Sequence, residues 1–264
     1  MEAKKRLSKA LAAAGVASRR ACEELIFSGR VIVNGETILT PQTHVCLEKD
    51  DVCVDGKKIR SEESKVYYLL NKPKGFICSN VRLGSKRIVL DLFAGQESRL
   101  FTVGRLDRDT TGLLIVTNDG HFAQKVIHPS ARIQKEYLVK CVQEISHEHL
   151  SIVSQGLFLE GSWVKPVRVT KVRKGTLKVI VMEGKKREVR LMVQKAKLDI
   201  VELSRIRIGG LRLGPIESGM FREMTKKEKE AIFQAADKQS PSRNTSLRRK
   251  VNSSVQRKKT DSLT

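Results

Sequence analysis

Near the start of the chain, apolar residues recur at the spacing of an α-helix. Leu7 and Leu11 lie on one side of a predicted first helix, and Gly15 can end it because glycine tolerates the left-handed conformation found after helices. Ser18 is suited to cap a second helix that runs through Ser28, since its hydroxyl can accept a hydrogen bond from the first turn. The pattern therefore predicts two short helices in succession.

Two tight hairpins are predicted after these helices. Asn34-Gly35 separates two short β-prone segments within 31–38, and Asp55-Gly56 separates two more within 52–59. Asn-Gly and Asp-Gly supply the positive φ angles that a type I′ turn requires. Two helices followed by small hairpins predict a compact first unit over residues 5–60.

The rest of the chain is dominated by segments of β character. Residues 61–65 are polar and charged and form a natural linker. Beyond it we expect strands at 67–70 and 136–139, the first halted by 71–75, a hairpin over 167–181 around Lys174-Gly175, a helix over 187–196 and a strand over 200–208. Many strands with few helices between them predict a mixed, mainly antiparallel sheet over 66–235, and an α+β fold overall.

The charge balance points to a polyanionic partner. The chain of 264 residues has 51 Lys and Arg against 29 Asp and Glu, a formal net charge of +22. Such a surplus favours nucleic acid. A membrane is disfavoured, because no apolar stretch approaches the roughly 20 residues that a spanning helix needs.

Residues 238–264 are rich in Ser, Asn, Arg and Lys, which predicts a disordered basic tail. Such a tail either attracts RNA non-specifically or only keeps the protein soluble.

The cysteines argue against a metal site and against a disulfide framework. There are five, an odd number, and they are widely separated without a Cys-x-x-Cys pair. Reduced thiols in a cytoplasmic protein fit this usage best.

The densest cluster of reactive side chains lies in Gly104–Gly120. Arginine, aspartate and threonine residues crowd its first half, and the apolar run 113–116 follows at once. An acidic loop that ends in a buried strand is a rigid platform for a polar side chain. This segment resembles, nearly residue for residue, the catalytic loop of bacterial rRNA pseudouridine synthases of the RsuA/RluB-like family. The resemblance implies that Asp107 is the catalytic acid, and that Arg105 helps to displace the target base.

Two further motifs extend the resemblance. In Lys135-Glu136-Tyr137-Leu138 the family has a tyrosine that stacks on the target uracil, which implies this role for Tyr137. Residues 183–192 resemble the family's Gly-x-x-Arg-Gln/Glu-Val-Arg/Lys-Arg-Met/Leu. The second basic residue of that motif, Arg190, would pair with Asp107 and keep it ionised, because burial alone raises the pKa of a carboxyl group.

The same motif implies further contacts around the target base. Val189 and Leu191 are expected to close the substrate pocket, although the family usually has arginine at the position of Leu191. The preceding basic residues are expected to contact RNA: Lys185, Lys186 and Arg187.

The first unit resembles an S4 RNA-binding domain, through Ala17-Ser18-Arg19-Arg20, Gly29-Arg30-Val31 and Val33-Asn34-Gly35. In that fold a basic helix face and the adjoining strand meet an RNA backbone. The resemblance implies four RNA-binding candidates: Lys9, Arg19, Arg20 and Arg30. A solvated basic face without a partner is the alternative.

Together these resemblances imply an enzyme with a central cleft that isomerises uridine to pseudouridine in ribosomal RNA, without a cofactor or metal. The target must be flipped out of its helix. Asp107 would then act as a nucleophile at C1′ or as a base in a glycal-type route.

Residues 187–190 look closer to the large-subunit (23S) enzymes than to the small-subunit (16S) ones. A non-catalytic RNA chaperone or assembly factor is the alternative, and a monomer is expected because no heptad or extended apolar face occurs.

Overall fold

The computed structural model describes residues 4–59, 61–82 and 84–234, so the predicted basic tail lies outside the described residues. The first unit contains two helices and several short strands. Their bounds are β1 Lys5–Arg6, α1 Leu7–Ala13, α2 Arg19–Phe27, β2 Val31–Val33, β3 Glu36–Thr37, β4 His44–Val45, β5 Val52–Val54 and β6 Lys57–Ile59.

Local sequence signals explain the first unit. The Ser18 hydroxyl accepts a hydrogen bond from the Ala21 N–H at 3.1 Å, which confirms the predicted cap of α2. Both predicted hairpins form. Asn34 and Asp55 have φ angles of 51° and 49°, and the glycine after each also has a positive φ. The helices and strands enclose one small apolar core.

The second unit begins at residue 66. None of the helices in the residues that the structure describes is long and apolar enough to cross a membrane. The elements are β7 Tyr67–Lys72, β8 Phe101–Val103, β9 Thr111–Thr117, α3 Gly120–Ile127, β10 Lys135–Cys141, α4 His147–Gln155, β11 Leu157–Leu159, β12 Ser162–Val164, β13 Arg168–Arg173, β14 Thr176–Val181, α5 Glu188–Lys195, β15 Ile200–Ile208, β16 Leu211–Arg212, β17 Phe221–Glu223 and α6 Lys226–Ala231.

Most of these strands form one sheet in the order β13-β14-β10-β15-β9-β7-β17, with β16 on β15 and β8 on β9. The described strand pairs of this sheet are antiparallel except β9 with β15, which confirms the predicted mixed, mainly antiparallel sheet. Apolar clusters cover both faces. Leu113 and Ile115 point into one, and Leu114 and Val116 into the other, as the two-residue period of a strand requires.

Two differences from the sequence expectation bear on the site. The first strand does end within 71–75 as predicted, but β7 continues two residues beyond Leu70, to Lys72, which pairs with Gly112 of β9. The strand ends only before Pro73, which has no N–H for a ladder. Helix α3 was not predicted at all. Its N-cap is Asp119, whose carboxylate accepts hydrogen bonds from the first-turn N–H groups.

Segment 61–65 has no regular secondary structure, but its Glu63 contacts both units. The Glu63 N–H donates to the Ala13 carbonyl at 3.1 Å, at the end of α1. Its carboxylate accepts from the Arg99 N–H at 3.2 Å and from the Asn118 side-chain amide at 3.1 Å, both in the second unit. Through its backbone and its side chain, one residue therefore ties the S4-like unit to the second unit.

The parallel pair β9–β15 approaches closely at Gly112, which pairs with Arg205. Gly112 has a φ of +100°, and a Cβ atom there would lie 2.3 Å from the Arg205 carbonyl oxygen. Any other residue would meet both a strained backbone and a steric clash. The position therefore requires glycine.

We expect Gly112→Ala to lower the free energy of unfolding by about 2–4 kcal/mol, the combined effect of a left-handed conformation and overpacking. Urea denaturation would measure it. Gly120→Ala is the matched control, because nothing lies within 4 Å of a Cβ atom at Gly120 and its φ is not positive. Equal stability of the two variants would contradict the assignment.

Candidate active site

A cleft of about 1230 Å³ opens on the sheet of the second unit. It is lined by the loop 104–110, by the start of β10, by segment 182–190 and by β15. The three motifs that resemble the enzyme family are far apart in sequence, and the fold brings all of them to this cleft. Asp107, Tyr137 and Arg190 all line it.

The loop that bears Asp107 is held by Lys72, which has no exposed surface. The Lys72 ammonium donates to the carbonyl oxygens of Thr110 at 2.9 Å, Pro73 at 3.1 Å and Asp107 at 3.2 Å, with a longer contact to Arg108 at 3.4 Å. Burial lowers the pKa of Lys72, and the nearby acids oppose that shift. The cation thus gathers several loop carbonyls around one point.

Arg190 approaches Asp107 from α5. Its Nε lies 4.0 Å from Oδ2 of Asp107, whose side chain is 31% exposed. Its Nη2 donates to the Asp109 carbonyl at 2.8 Å and to the Thr110 hydroxyl at 3.1 Å. The Nε atom is buried without a partner. The guanidinium therefore braces the loop and keeps one donor free on the side of the acid.

Tyr137 on β10 is brought beside Arg205 by an irregular register. Glu136 pairs with Arg207, but Tyr137 pairs with Arg205, so that Ile206 is the extra residue of a bulge in β15. Bulges beside active sites re-aim side chains. Burial raises the pKa of the Tyr137 phenol; Arg205 opposes the shift, whereas Glu188 and Asp107 reinforce it.

Arg205 is 4% exposed and lies on the floor of the cleft. Its Nε donates to the Leu113 carbonyl at 2.8 Å, which anchors the side chain to β9. Its Nη2 is buried and has no partner. One donor of the guanidinium is therefore left unused in a cleft that the side chain lines.

Glu188, the first residue of α5, is 3% exposed, and within the described residues no donor reaches its carboxylate oxygens with full hydrogen-bond geometry. Burial raises its pKa to about 7, while the Lys185 backbone N–H and the charges of Lys135 and Lys185 oppose the shift and Glu183 reinforces it. Lys135 does not contact the carboxylate, since its ammonium donates to the carbonyls of Met182 at 3.1 Å and Glu183 at 3.3 Å.

The two residues predicted to close the pocket differ in their position relative to the cleft. Val189 is 4% exposed and lines the cleft. Leu191 is only half-buried and is not among the lining residues, so its predicted place in the pocket is wrong. On a helix, residues two apart point in divergent directions, and Val189 and Leu191 cannot both face the cleft. Arg105 is exposed and also lines the cleft.

The basic residues before α5 have different surroundings. Lys186 and Arg187 are exposed at the cleft, and Arg187 has a left-handed backbone with a φ of 58°. Lys185 is half-buried, where its ammonium donates to the Leu159 carbonyl at 2.9 Å and to the Ser162 hydroxyl. It anchors the β11–β12 hairpin, which reduces its freedom to meet RNA.

The RNA-binding candidates of the first unit are all exposed: Lys9, Arg19, Arg20 and Arg30. Two of them have acidic neighbours. Arg30 makes a two-point hydrogen bond with Asp55 at 2.7 and 2.5 Å, and Arg19 lies 3.4 Å from Glu23. Lys9 and Arg20 form no ion pair within the residues that the structure describes, and they are the better placed of the four to meet phosphates.

Sequence reasoning missed the roles of Lys72, Lys135 and Arg205. Each is a basic residue within or at the end of a strand whose other positions are largely apolar. A Lys or Arg in such a strand indicates a buried cation with a structural or functional role, because these residues are almost never fully buried without partners.

Two parts of the chain match known protein families. Residues 66–195 match the RNA pseudouridylate synthase family, and residues 5–52 match the S4 domain. A relative in Bacillus subtilis, ribosomal large subunit pseudouridine synthase B, is 36% identical over 88% of this chain and 97% of its own length. This chain belongs to the RNA pseudouridine synthase family.

Other relatives support the same membership. The putative chloroplastic ribosomal large subunit pseudouridine synthase SVR1 of Arabidopsis thaliana is 45% identical over 87% of this chain, which spans 60% of that relative's length. A solved structure described as a pseudouridylate synthase superposes with a TM-score of 0.62 at 27% identity, covering 86% of this chain and 99% of its own.

The hydrogen bonds of Lys72 to the loop carbonyls predict a loss of stability when this side chain is replaced. We expect Lys72→Met to lower the free energy of unfolding by about 3 kcal/mol, because several loop carbonyls lose their donor and stay buried. Lys74→Met, two residues on and exposed, should change it by less than about 0.5 kcal/mol. Urea denaturation of both variants is the measurement, and equal values would show that the anchor is dispensable.

Glu188 predicts a pH dependence of stability. Burial raises its pKa to about 7 in the folded protein, against an ordinary value of 4.5. The folded state therefore binds the proton more tightly, and wild-type stability falls as pH rises between these two values, by up to about 3 kcal/mol. Glu188→Gln should lack this fall. Denaturation at about pH 5 and about pH 8 checks it, and parallel losses in both proteins would refute it.

Proposed function

We propose that this protein isomerises specific uridines to pseudouridine in ribosomal RNA of the large subunit, with Asp107 as the reacting acid. The observation that carries the proposal is the arrangement around Asp107. Its loop is fixed by Lys72, and Arg190 lies 4.0 Å from its carboxylate in a cleft that also contains Tyr137. A surface acid that served only as a helix cap would not need two buried cations.

The reaction fits these groups. The base must detach from the sugar, turn, and rejoin through C5. The Asp107 carboxylate either attacks C1′, so that the N1–C1′ bond breaks and the base leaves, or removes a sugar proton in a glycal-type route. In both cases the acid must be ionised and partly shielded from water. The free Nε of Arg190 is placed to stabilise that charge.

A base can reach Asp107 only outside its helix. The aromatic ring of Tyr137 gives the extruded uracil a face to stack on, which is worth about 1–3 kcal/mol for a base. Arg105 is exposed at the cleft and can occupy the space that the base leaves. Val189 supplies an apolar wall beside the site.

The choice of RNA rests on the relatives. Two of them are named as large-subunit enzymes, from Bacillus subtilis and Arabidopsis thaliana. A net charge of +22 and the exposed basic residues of the S4-like unit suit a long RNA substrate. A non-catalytic assembly factor would have no use for buried, unpartnered charges in a cleft, so the enzyme is favoured.

The test is tritium release from 5-³H-uridine-labelled large- and small-subunit rRNA transcripts, because the C5 hydrogen must leave when the base rejoins through carbon. We expect release from the large-subunit RNA. Asp107→Asn should lower the rate by about 1,000-fold or more while RNA binding is retained.

Asp109→Asn is the matched control, because it removes the same charge from an exposed side chain two residues away and keeps the backbone carbonyl that Arg190 uses. It should remain within about tenfold of wild type. Similar losses in both variants would argue against Asp107 as the reacting group, and release from small-subunit RNA alone would contradict the substrate.

A further inference from the structure

Besides Arg190, two side chains of the cleft have buried polar atoms that no group satisfies within the part of the chain that the structure describes. These atoms are both carboxylate oxygens of Glu188 and Nη2 of Arg205, and the two residues are 3% and 4% exposed. Most buried polar groups in folded proteins are paired, and an orphaned one costs about 1–3 kcal/mol. Two such groups in one cleft indicate that a ligand completes them.

The two groups lie around the same side chain. Arg205 pairs with Tyr137 across the β10–β15 bulge. Glu188 and Asp107 line the same cleft as Tyr137, and both act on its phenol electrostatically. A base stacked on Tyr137 would therefore have a carboxylate and a guanidinium donor near its edge, and the reacting acid on its sugar side.

The unmet groups complement uracil. The polar edge of uracil reads acceptor, donor, acceptor, from O2, N3–H and O4. A carboxylate can accept the N3–H, and a guanidinium N–H can donate to a carbonyl oxygen. Cytosine has a lone pair at N3 in place of the N3–H, so it would face the carboxylate with an acceptor. Unpaired buried groups then disfavour the wrong base.

We propose that Glu188 and Arg205 read the polar edge of the flipped uracil, with Glu188 accepting the N3–H and Arg205 donating to a carbonyl oxygen. The inference rests on the proposed function and assigns two specificity-determining residues to the same site. No bond is made or broken in this step, and the carboxylate acts in its ionised form.

Charged and titratable groups from three segments surround Glu188 and influence its ionisation. Lys135 and Tyr137 face it from β10, Glu183 and Lys185 from the segment before α5, and Arg205 acts on Lys135 from β15. Within the described residues no Lys or Arg forms an ion pair with the carboxylate, and the Lys135 ammonium donates to backbone carbonyls instead. Burial raises the pKa of Glu188 to about 7, so its ionisation falls in the working range of the enzyme.

The experiment compares wild type, Glu188→Gln and Glu188→Leu by tritium release from labelled large-subunit rRNA, between about pH 5.5 and about pH 8.5. Wild-type kcat/KM should rise with pH as the Glu188 carboxyl ionises near pH 7, by up to about tenfold in all, and then level off. Glu188→Gln keeps an acceptor without a titrating proton. It should stay within about tenfold of the wild-type plateau and lose this rise.

Glu188→Leu has no acceptor and should lose about 10- to 100-fold in kcat/KM at about pH 8. It should fold, because removing an unpaired buried carboxylate does not cost stability. A purely structural Glu188 would lower the thermal midpoint of both variants and leave the shape of the pH profile unchanged, which would overturn the inference.

The two proposals fail differently. If wild type releases no tritium from any rRNA, the proposed function falls and the inference with it. If wild type is active but Glu188→Gln keeps the rise near pH 7, or Glu188→Leu keeps the full rate, only the reading of the uracil edge is refuted.

Discussion

The Asp107 loop depends on two buried cations. Its carbonyl oxygens point inward, where water cannot satisfy them, and a loop of this kind would cost several unmade hydrogen bonds. Lys72 from β7 and Arg190 from α5 supply the missing donors from opposite sides. The loop acids offset part of the cost of burying these charges. The reacting carboxylate thus gains its position through the backbone, and its own side chain stays free and 31% exposed in the cleft.

The cleft depends equally on a local irregularity in β15. If the strand had no bulge, the regular register would pair Tyr137 with Ile206 instead of Arg205. The close approach at Gly112 allows β15 to lie parallel to β9 at this point, and it lets the Arg205 side chain reach the Leu113 carbonyl. One bulge and one glycine therefore place a buried guanidinium beside the aromatic ring, and the Asp107 loop is connected to the same strand pair through β9.

The sequence predicted the parts that local rules determine. Asn34-Gly35 and Asp55-Gly56 require positive φ angles, and the strand at 200–208 has a clear alternation, so these elements formed as expected. It did not predict α3, whose eight residues lie between a long strand and a turn. The length of β7 and the buried role of Lys72 also escaped it, because a lysine at the end of a strand usually lies in water. Leu191 was expected in the pocket because a motif gives the order of residues along α5 but not the direction in which each side chain points.

The same distinction between local and long-range determinants applies to the site residues. Motif resemblance can indicate Asp107, Tyr137 and Arg190, because each belongs to a continuous segment with a recognisable pattern. The partners that complete the site come from pairings distant in sequence, Arg205 with Leu113 and Lys72 with Thr110. Burial without partners is also a property of the folded chain alone. A cleft that keeps Glu188 and Arg205 unsatisfied sacrifices stability in the empty protein, and substrate can recover that free energy by pairing with both groups. Binding energy gained in this way distinguishes one base from another, which charge attraction to the RNA backbone cannot do.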